Sequence, residues 1–419
     1  MWVFGLVIGP DVFDVNDAKT ILNKESYRFR PMLLKRHMAR VTGERGIAAL
    51  NGKDWRMHRL ALTKTFNPDF LAHSRVEMQK IAHQMTERIQ SKILKESRGG
   101  SFVELDIEPL MKSVTLGIFC KTALNFEVVT GEDGMSPCPQ ATAFEYLSEQ
   151  MMKRFSNPLW PRHFFYWIPT EQNRQQIKEQ HFVRSFLTNL ITEKRKSIEE
   201  SHASETDKDL LTHLLKAHNT AKSMGIVEPE QVTDDNLTDI LMSLFSAGYD
   251  TTSMTLCTAL YLLAQHPQAQ EHCVREIQNT KGGLVDPHDL VYCRAVILEA
   301  LRMYQWLLPS NLFALPSEFR PDRWVSAEEG KEGCWMERSA LDDSGEIPAA
   351  NRSNLLAFSA GGRNCVGMKF AIQEAVLVLA NLLKGLEFAA VPSFDLKSSN
   401  QVILHKPDNG VLLNVSTRV

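Results

Sequence analysis

Four long stretches of this chain carry apolar residues three and four positions apart, at 71–96 (LAHSRVEMQKIAHQMTERIQSKILKE), 170–200, 209–217 and 233–265. That period lines the apolar side chains along one face of an α-helix. Further helices fit 268–279, 289–304 and 366–384, whereas strand candidates are short, at 2–8, 401–405 and 411–415. A chain patterned in this way buries helix against helix, so the expected fold class is mainly α with small β-sheets. The longest stretch, 233–265, opens on Thr233-Asp234-Asp235 and closes before His266-Pro267, which are good start and stop signals for one central helix.

At 419 residues the chain has room for two or three ordinary domains or a single large one. With 43% hydrophobic and 23% charged residues it has the composition of a soluble globular core, and a net charge of −3 gives no reason to expect nucleic acid as a partner. The seven cysteines, at 120, 138, 257, 273, 293, 334 and 365, form no CxxC pair and are odd in number. This argues against a disulfide framework or a zinc site and for a reducing setting. The apolar N-terminus is cut by Gly9, Pro10 and Asp11 and lacks a basic leader, so it reads as a strand, a turn and a helix, not as a signal or anchor. Residues 156–169 are dense in aromatics and proline; they fit a loop over a pocket or on a membrane surface, or equally a buried loop. Residues 325–353 form a long irregular segment of the kind that often serves a site.

Chemistry concentrates in FSAGGRNCVG, residues 358–367. A thiolate at Cys365 is a soft metal ligand that needs a positive environment and backbone donors. Gly361, Gly362 and Gly367 let the backbone close around the sulfur, and a helix starting near Val366 aims its free N–H groups back at it. A lone cysteine is otherwise a small buried hydrophobe. The second constellation is SAGYDTT, 246–252. Ala247 and Gly248 allow something flat to approach, while Asp250 and Thr251 add an acid and an alcohol suited to proton relay; a helix kink with Thr bonded back to the preceding turn is the plainer reading. Glu299 and Arg302 share a helix face in EALR, and Arg323 stands in FRPDRW; either is an ordinary solvated charge when taken alone. Trp55 and Arg59, four apart in WRMHR, suit a carboxylate partner, or are a half-buried Trp with a snorkelling Arg.

Taken in this order, the pieces resemble the cytochrome P-450 superfamily, the haem-thiolate monooxygenases, of the membrane-bound (microsomal-type) class. Phe358, Gly361, Arg363, Cys365 and Gly367 match its cysteine loop; Ala247, Gly248, Asp250, Thr251 and Thr252 match its central-helix motif; Glu299 and Arg302 match its E-x-x-R; Pro321 and Arg323 match its P-x-R; and Trp55 and Arg59 match its W-x-x-x-R helix. The resemblance implies one haem domain over 1–419 with the long central helix above a haem b. It implies Cys365 as the proximal iron ligand, with Trp55, Arg59 and Arg363 holding the propionates. Asp250 and Thr251 would deliver protons, Gly248 would leave room for the macrocycle and O2, and Phe358 would pack near the sulfur. Glu299, Arg302 and Arg323 would form a buried ionic cluster. The implied reaction puts one atom of O2 into a hydrophobic substrate such as a fatty acid, sterol or terpenoid, with electrons from NADPH through a reductase. Arg56, His58, Arg59, Lys64 and Lys369 offer a basic face to that partner, or an ordinary solvated helix face. The implied location is the cytosolic face of the endoplasmic reticulum membrane.

The chain departs from the family in two places. It opens almost directly on the first strand, without the anchor helix of the membrane-bound class, so a cytosolic location is also expected. And only MYQWLLPSNLFALPSEF (303–319) joins the E-x-x-R helix to the P-x-R element, where family members place several tens more residues that build much of the β part. The alternatives to a monooxygenase are therefore a non-catalytic, shortened product with impaired haem binding, and a peroxide-rearranging member that needs no reductase. The acid–alcohol pair Asp250-Thr251 speaks against the last of these.

Overall fold

The computed structural model describes residues 2–3, 6–7, 20–24, 35, 38–39, 41–96, 102–128, 138–155, 168–200, 208–223, 233–280, 285–303, 317–325, 355–400, 405–407 and 409–418. Two-residue strands β1 (Trp2–Val3) and β2 (Leu6–Val7) pair with each other where one strand over 2–8 was expected. Then come α1 (Gly52–Thr65), α2 (Pro68–Glu96), β3 (Val103–Asp106), α3 (Glu108–Leu124), α4 (Pro139–Phe155), α5 (Glu171–Glu200) and α6 (Leu210–Ser223). The second half runs α7 (Asp234–Gly248), α8 (Asp250–Gln265), α9 (Pro267–Asn279), α10 (Val291–Met303), α11 (Met368–Gly385), β4 (Leu386–Ala390), β5 (Ser398–Asn400), β6 (His405–Pro407) and β7 (Leu412–Thr417). The fold class is as expected, mainly helical with small sheets.

The helix ends follow local chemistry. Thr233 caps α7 by accepting the Asn236 N–H at 3.3 Å, with Asp234 and Asp235 in the positive first turn. Pro267 opens α9, where no N–H is needed. The start of α10 is capped from outside. Glu276 of α9 accepts the N–H groups of Tyr292 and Cys293 at 2.6 and 2.9 Å, satisfying donors that an α-helix leaves free at its N-terminus.

The expected central helix over 233–265 is two helices broken at Tyr249. The break coincides with Thr251 donating back to the Ala247 carbonyl at 2.8 Å and Thr252 to that of Gly248 at 3.4 Å, the back-bonding that bends helices. α8 packs against α3, α10, α11 and β4. α11 is buried on nearly every side and packs most extensively on α2, where Phe370 stacks on Phe70 with centroids 5.8 Å apart. The larger sheet has order β3-β7-β4, all antiparallel, with Leu105 opposite Leu413 and Phe388 opposite Val415. Those four residues are buried, so one face of this sheet closes the core. The C-terminal strand expected at 411–415 is β7, but the other expectation, 401–405, lies outside the described residues except for His405. Residues 156–167 and 326–354 likewise lie outside them.

Candidate active site

The cysteine loop is shaped by two left-handed residues, Ser359 (φ 59°) and Gly361 (φ 68°). Gly361 has no alternative: a Cβ there would stand 2.3 Å from the Leu22 carbonyl oxygen. The loop closes on itself through the Cys365 N–H, which donates to the Phe358 carbonyl at 2.8 Å, and the Asn364 N–H, which donates to Gly361 at 3.0 Å. α11 starts at Met368 with Gly367 as its cap, two residues later than expected. The expected consequence still holds, because the Gly367 N–H reaches the Cys365 sulfur and lowers its pKa.

Cys365 differs from the other described cysteines. Cys120, Cys138, Cys257, Cys273 and Cys293 are buried; Cys365 is exposed. Yet burial among surrounding atoms is the main influence on its thiol, pushing the pKa up against the Gly367 amide and the Arg59 charge. A side chain that is accessible and still hemmed in by protein stands in a concave recess.

Two cations hold this loop to α1. Arg59 donates through both terminal nitrogens to the Asn364 carbonyl and side-chain oxygen. Its pKa is lowered by burial, which the Cys365 charge opposes. Arg363 donates to the Leu50 carbonyl at 2.9 Å and to Asn51 Oδ1 at 3.3 Å, and its guanidinium lies over the Trp55 ring. Trp55, Arg59, Arg363 and Cys365, scattered in sequence, thus form one assembly.

The second constellation presents an open stripe on an otherwise buried helix. Ala247 and Thr251 are exposed, and Thr255 and Thr258 are half-buried, at positions that share one face. Asp250 and Thr252 are buried. The space at Gly248 is used differently from the sequence expectation. A Cβ there would stand 2.6 Å from the Phe119 ring, so this glycine admits α3 and the open position belongs to Ala247.

Glu299 is fully buried with 0% exposure and accepts five hydrogen bonds. Arg302 gives Nε at 2.8 Å and Nη2 at 2.9 Å; Arg323 Nε, the Arg320 N–H and Trp324 Nε1 follow at 2.9, 2.9 and 2.8 Å. The predicted trio meets as one cluster. Trp324, next to Arg323 in FRPDRW, is the member that sequence reasoning passed over. The basic face on α1 is smaller than expected. Arg56, Lys64 and Lys369 are exposed, but His58 is buried and Arg59 is engaged with Asn364. Glu374, also missed, is a fully buried acid on α11.

With this geometry in view, comparison with known proteins is decisive. The sequence profile of the family described as Cytochrome P450 matches residues 10–312 and 308–414. The chain belongs to the cytochrome P450 family. Similar proteins include cytochrome P450 94A1 of Vicia sativa, 23% identical over 383 residues, covering 84% of this chain and 70% of that protein. Another is cytochrome P450 4c21 of Blattella germanica, 23% identical, covering 89% and 77%. A third is the chloroplastic carotene epsilon-monooxygenase of Arabidopsis thaliana, 24% identical, covering 99% and 80%. The fold is similar to a crystal structure of a cytochrome P450, with TM-score 0.71, 18% identity, and 93% of this chain and 87% of that one covered. This cytochrome P450 is accordingly a haem-thiolate oxidoreductase of the monooxygenase type. Among the described residues no helix is long and apolar enough to cross a membrane.

Proposed function

We propose that Cys365 is the axial thiolate ligand of a haem b, and that the chain inserts one oxygen atom into a hydrophobic organic substrate using electrons passed from NADPH by a reductase. The observation that carries this is the exposed but deeply set Cys365 thiol, with the Gly367 amide and the Arg59 cation turned to it. That amide and cation act toward the thiolate that iron requires, against the burial that raises the pKa of the free thiol. The bound haem supplies oxygen activation: one atom of O2 enters the substrate, and the other leaves as water after two electrons and two protons are added.

The chain's own residues have the remaining tasks. Trp55, Arg59 and Arg363 present two cations and an indole N–H beside the loop, a donor set suited to carboxylate groups at a haem edge. Phe358 and Gly367 shape the cysteine loop around the sulfur. The small side chain of Ala247 leaves the stripe flat enough for a planar group, next to the glycine at 248. The exposed Thr251 hydroxyl and the Asp250 carboxyl hold and pass protons across that stripe. Glu299, Arg302 and Arg323 fix α10 to the segment before the cysteine loop. The name of the Arabidopsis relative gives an apolar hydrocarbon as that protein's substrate, which supports an apolar substrate class here. Exposed Arg56, Lys64 and Lys369 support docking of an acidic reductase surface. Location at the cytosolic face of the endoplasmic reticulum membrane rests on the resemblance to the membrane-bound class, and fractionation of the native chain tests it.

The test is the carbon monoxide difference spectrum of the reduced protein. The thiolate-type spectrum is expected, and Cys365→His should replace it with that of a neutral ligand. A neutral-ligand spectrum in the unaltered chain would overturn the assignment.

A second reading, a shortened product that holds haem weakly, is favoured by one observation. The two segments of the family match meet at 308–312, inside the 303–318 stretch where the sequence is expected to skip part of the family's β region. Residues 304–316 lie outside the described residues. Haem content per chain after gel filtration separates the readings: one haem per chain with NADPH-dependent turnover supports the enzyme, and haem that is lost supports the shortened product.

A further inference from the structure

The bend between α7 and α8 is lined by hydroxyl groups. The carbonyls of residues 247–250 cross it in succession, and each has a side-chain hydroxyl within hydrogen-bond distance. Ala247 accepts from Thr251 at 2.8 Å, Gly248 from Thr252 at 3.4 Å and Asp250 from Ser253 at 2.8 Å. These three donors stand in the first turn of α8 itself. Because the Ser253 hydroxyl reaches back three residues and not four, it passes over Tyr249. The Tyr249 carbonyl takes the Ser253 N–H at 3.0 Å and finds its hydroxyl elsewhere, at Thr115 Oγ1 of α3, also 3.0 Å away.

Thr115 is fully buried, with 0% exposure, and a buried hydroxyl needs a partner. It carries a single hydrogen. Met111 and Lys112, in its own helix, offer carbonyls at 2.9 and 3.3 Å. Tyr249 is the acceptor that links α3 to the bend, and a side chain directed into the hydrogen-bond ladder of a helix bends it. Phe119 stands one turn further along the same face of α3. Its ring occupies the space beside Gly248, where a Cβ would come within 2.6 Å. Phe119 is itself held edge-on against Phe245, with centroids 5.6 Å apart, and Phe245 stacks on Phe144 of α4 at 4.0 Å. α3 thus meets the bend at two successive points, one polar and one apolar, and α8 packs on α3 more extensively than on its other neighbours.

We propose that Thr115 and Phe119 are positioning residues: the Thr115 hydroxyl holds the Tyr249 carbonyl, the Phe119 ring fills the gap at Gly248, and α3 thereby sets the bend on which Asp250 and Thr251 stand. The consequence for turnover rests on the proton-handling reading of Asp250 and Thr251 given above; the two contacts do not.

Hydrogen exchange of the haem-loaded protein, read by mass spectrometry on peptides covering 247–256, tests the contacts. Thr115→Val keeps the shape and removes the hydroxyl; it should speed exchange there several-fold, and Thr115→Ser should bring it back. Unchanged exchange in Thr115→Val would show that the hydrogen serves Met111 instead, and would overturn the role of Thr115. Gly248→Ala drives a methyl group into the Phe119 ring and should likewise speed exchange, and adding Phe119→Leu, which frees that space, should recover most of the loss. A silent Gly248→Ala, or one that Phe119→Leu does not relieve, would overturn the role of Phe119. The two tests are independent, so a Thr115→Val chain that fails to fold leaves the Gly248–Phe119 pair to decide whether α3 sets the bend. In turnover, Thr115→Val should keep the thiolate-type carbon monoxide spectrum but lose several-fold in product formed per NADPH, with kcat falling more than KM and Thr115→Ser restoring it. Faster exchange with unchanged product per NADPH would overturn the positioning role alone. A neutral-ligand carbon monoxide spectrum in the unaltered chain would instead overturn the haem-thiolate reading and leave exchange to decide the contacts.

Discussion

The Arg363 guanidinium lies over the Trp55 indole, 4.4 Å from the ring centroid, and so ties the cysteine loop to the first turn of α1. It also donates to Leu50 and Asn51, just before that helix begins. One side chain thus fixes the separation between the loop that carries Cys365 and the helix that carries Arg59. The planar, forked cation is needed for this, because it stacks and donates at once.

Arg363→Ala should therefore loosen the loop as well as remove a charge. We expect a loss of about 1–2 kcal/mol of apoprotein stability, since the group is only half-buried and its cation–π contact is partly screened. Arg363→Lys should recover charge but not stacking, and should restore haem retention only in part. Urea unfolding and haem content per chain read the two effects separately.

Glu299→Gln should be far more damaging. The carboxylate answers Arg302 and Arg323 from a fully buried position. Its replacement by an amide leaves two guanidinium groups facing a donor, and breaking a buried ion pair from one side costs about 3–5 kcal/mol. The expected outcome is a protein that unfolds at much lower urea concentration or accumulates as aggregate. Arg323→Gln, which leaves Arg302 and Trp324 on the same carboxylate, should cost less than half as much.

These clusters show what was legible in the sequence. Helices whose one face meets solvent, such as α2 and α5, announced themselves by period, and their bounds fell close to expectation. α3 did not, because it is buried on nearly all sides, so no continuous polar stripe marks it. β3 and β4 are only a few residues long and depend on β7, distant in sequence for β3, to become strands at all. The break at Tyr249 was signalled by Gly248 and the two threonines, yet the packing of Phe119 against Gly248 is a tertiary fact with no local trace. Glu374 stands out in the sequence as a lone acid in an apolar helix, the local trace of its full burial.

Thr251→Val separates function from stability. The Thr251 side chain is exposed, and its hydroxyl donates back across the helix break to the Ala247 carbonyl. Stability should change by no more than about 0.5 kcal/mol, as for other surface substitutions. If Thr251 manages protons during turnover, the variant should consume NADPH at an undiminished rate while more of the oxygen leaves as hydrogen peroxide and less as product. Peroxide and product yields per NADPH provide the measurement.

His58 should give the fold an acid-sensitive component that is independent of the haem. The imidazole is buried on α1, and its Nδ1 has no hydrogen-bond partner among the described residues. Burial is the largest influence and lowers its pKa from the usual 6.5; the Asp54 and Asp239 charges oppose this, and the Arg45 charge adds to it. In the unfolded chain the ring takes up its proton near pH 6.5, while in the folded protein it does so only at lower pH. Between those two values the unfolded state binds more protons, so stability must fall as pH falls. The contribution is complete above about pH 6.5, declines below it, and levels off once pH passes the lowered folded value. His58→Gln, which is neutral throughout, should flatten that part of the curve. Urea unfolding of the apoprotein from neutral pH downward is the measurement; a variant whose stability declines as steeply as the unaltered chain would show that His58 is not the group responsible.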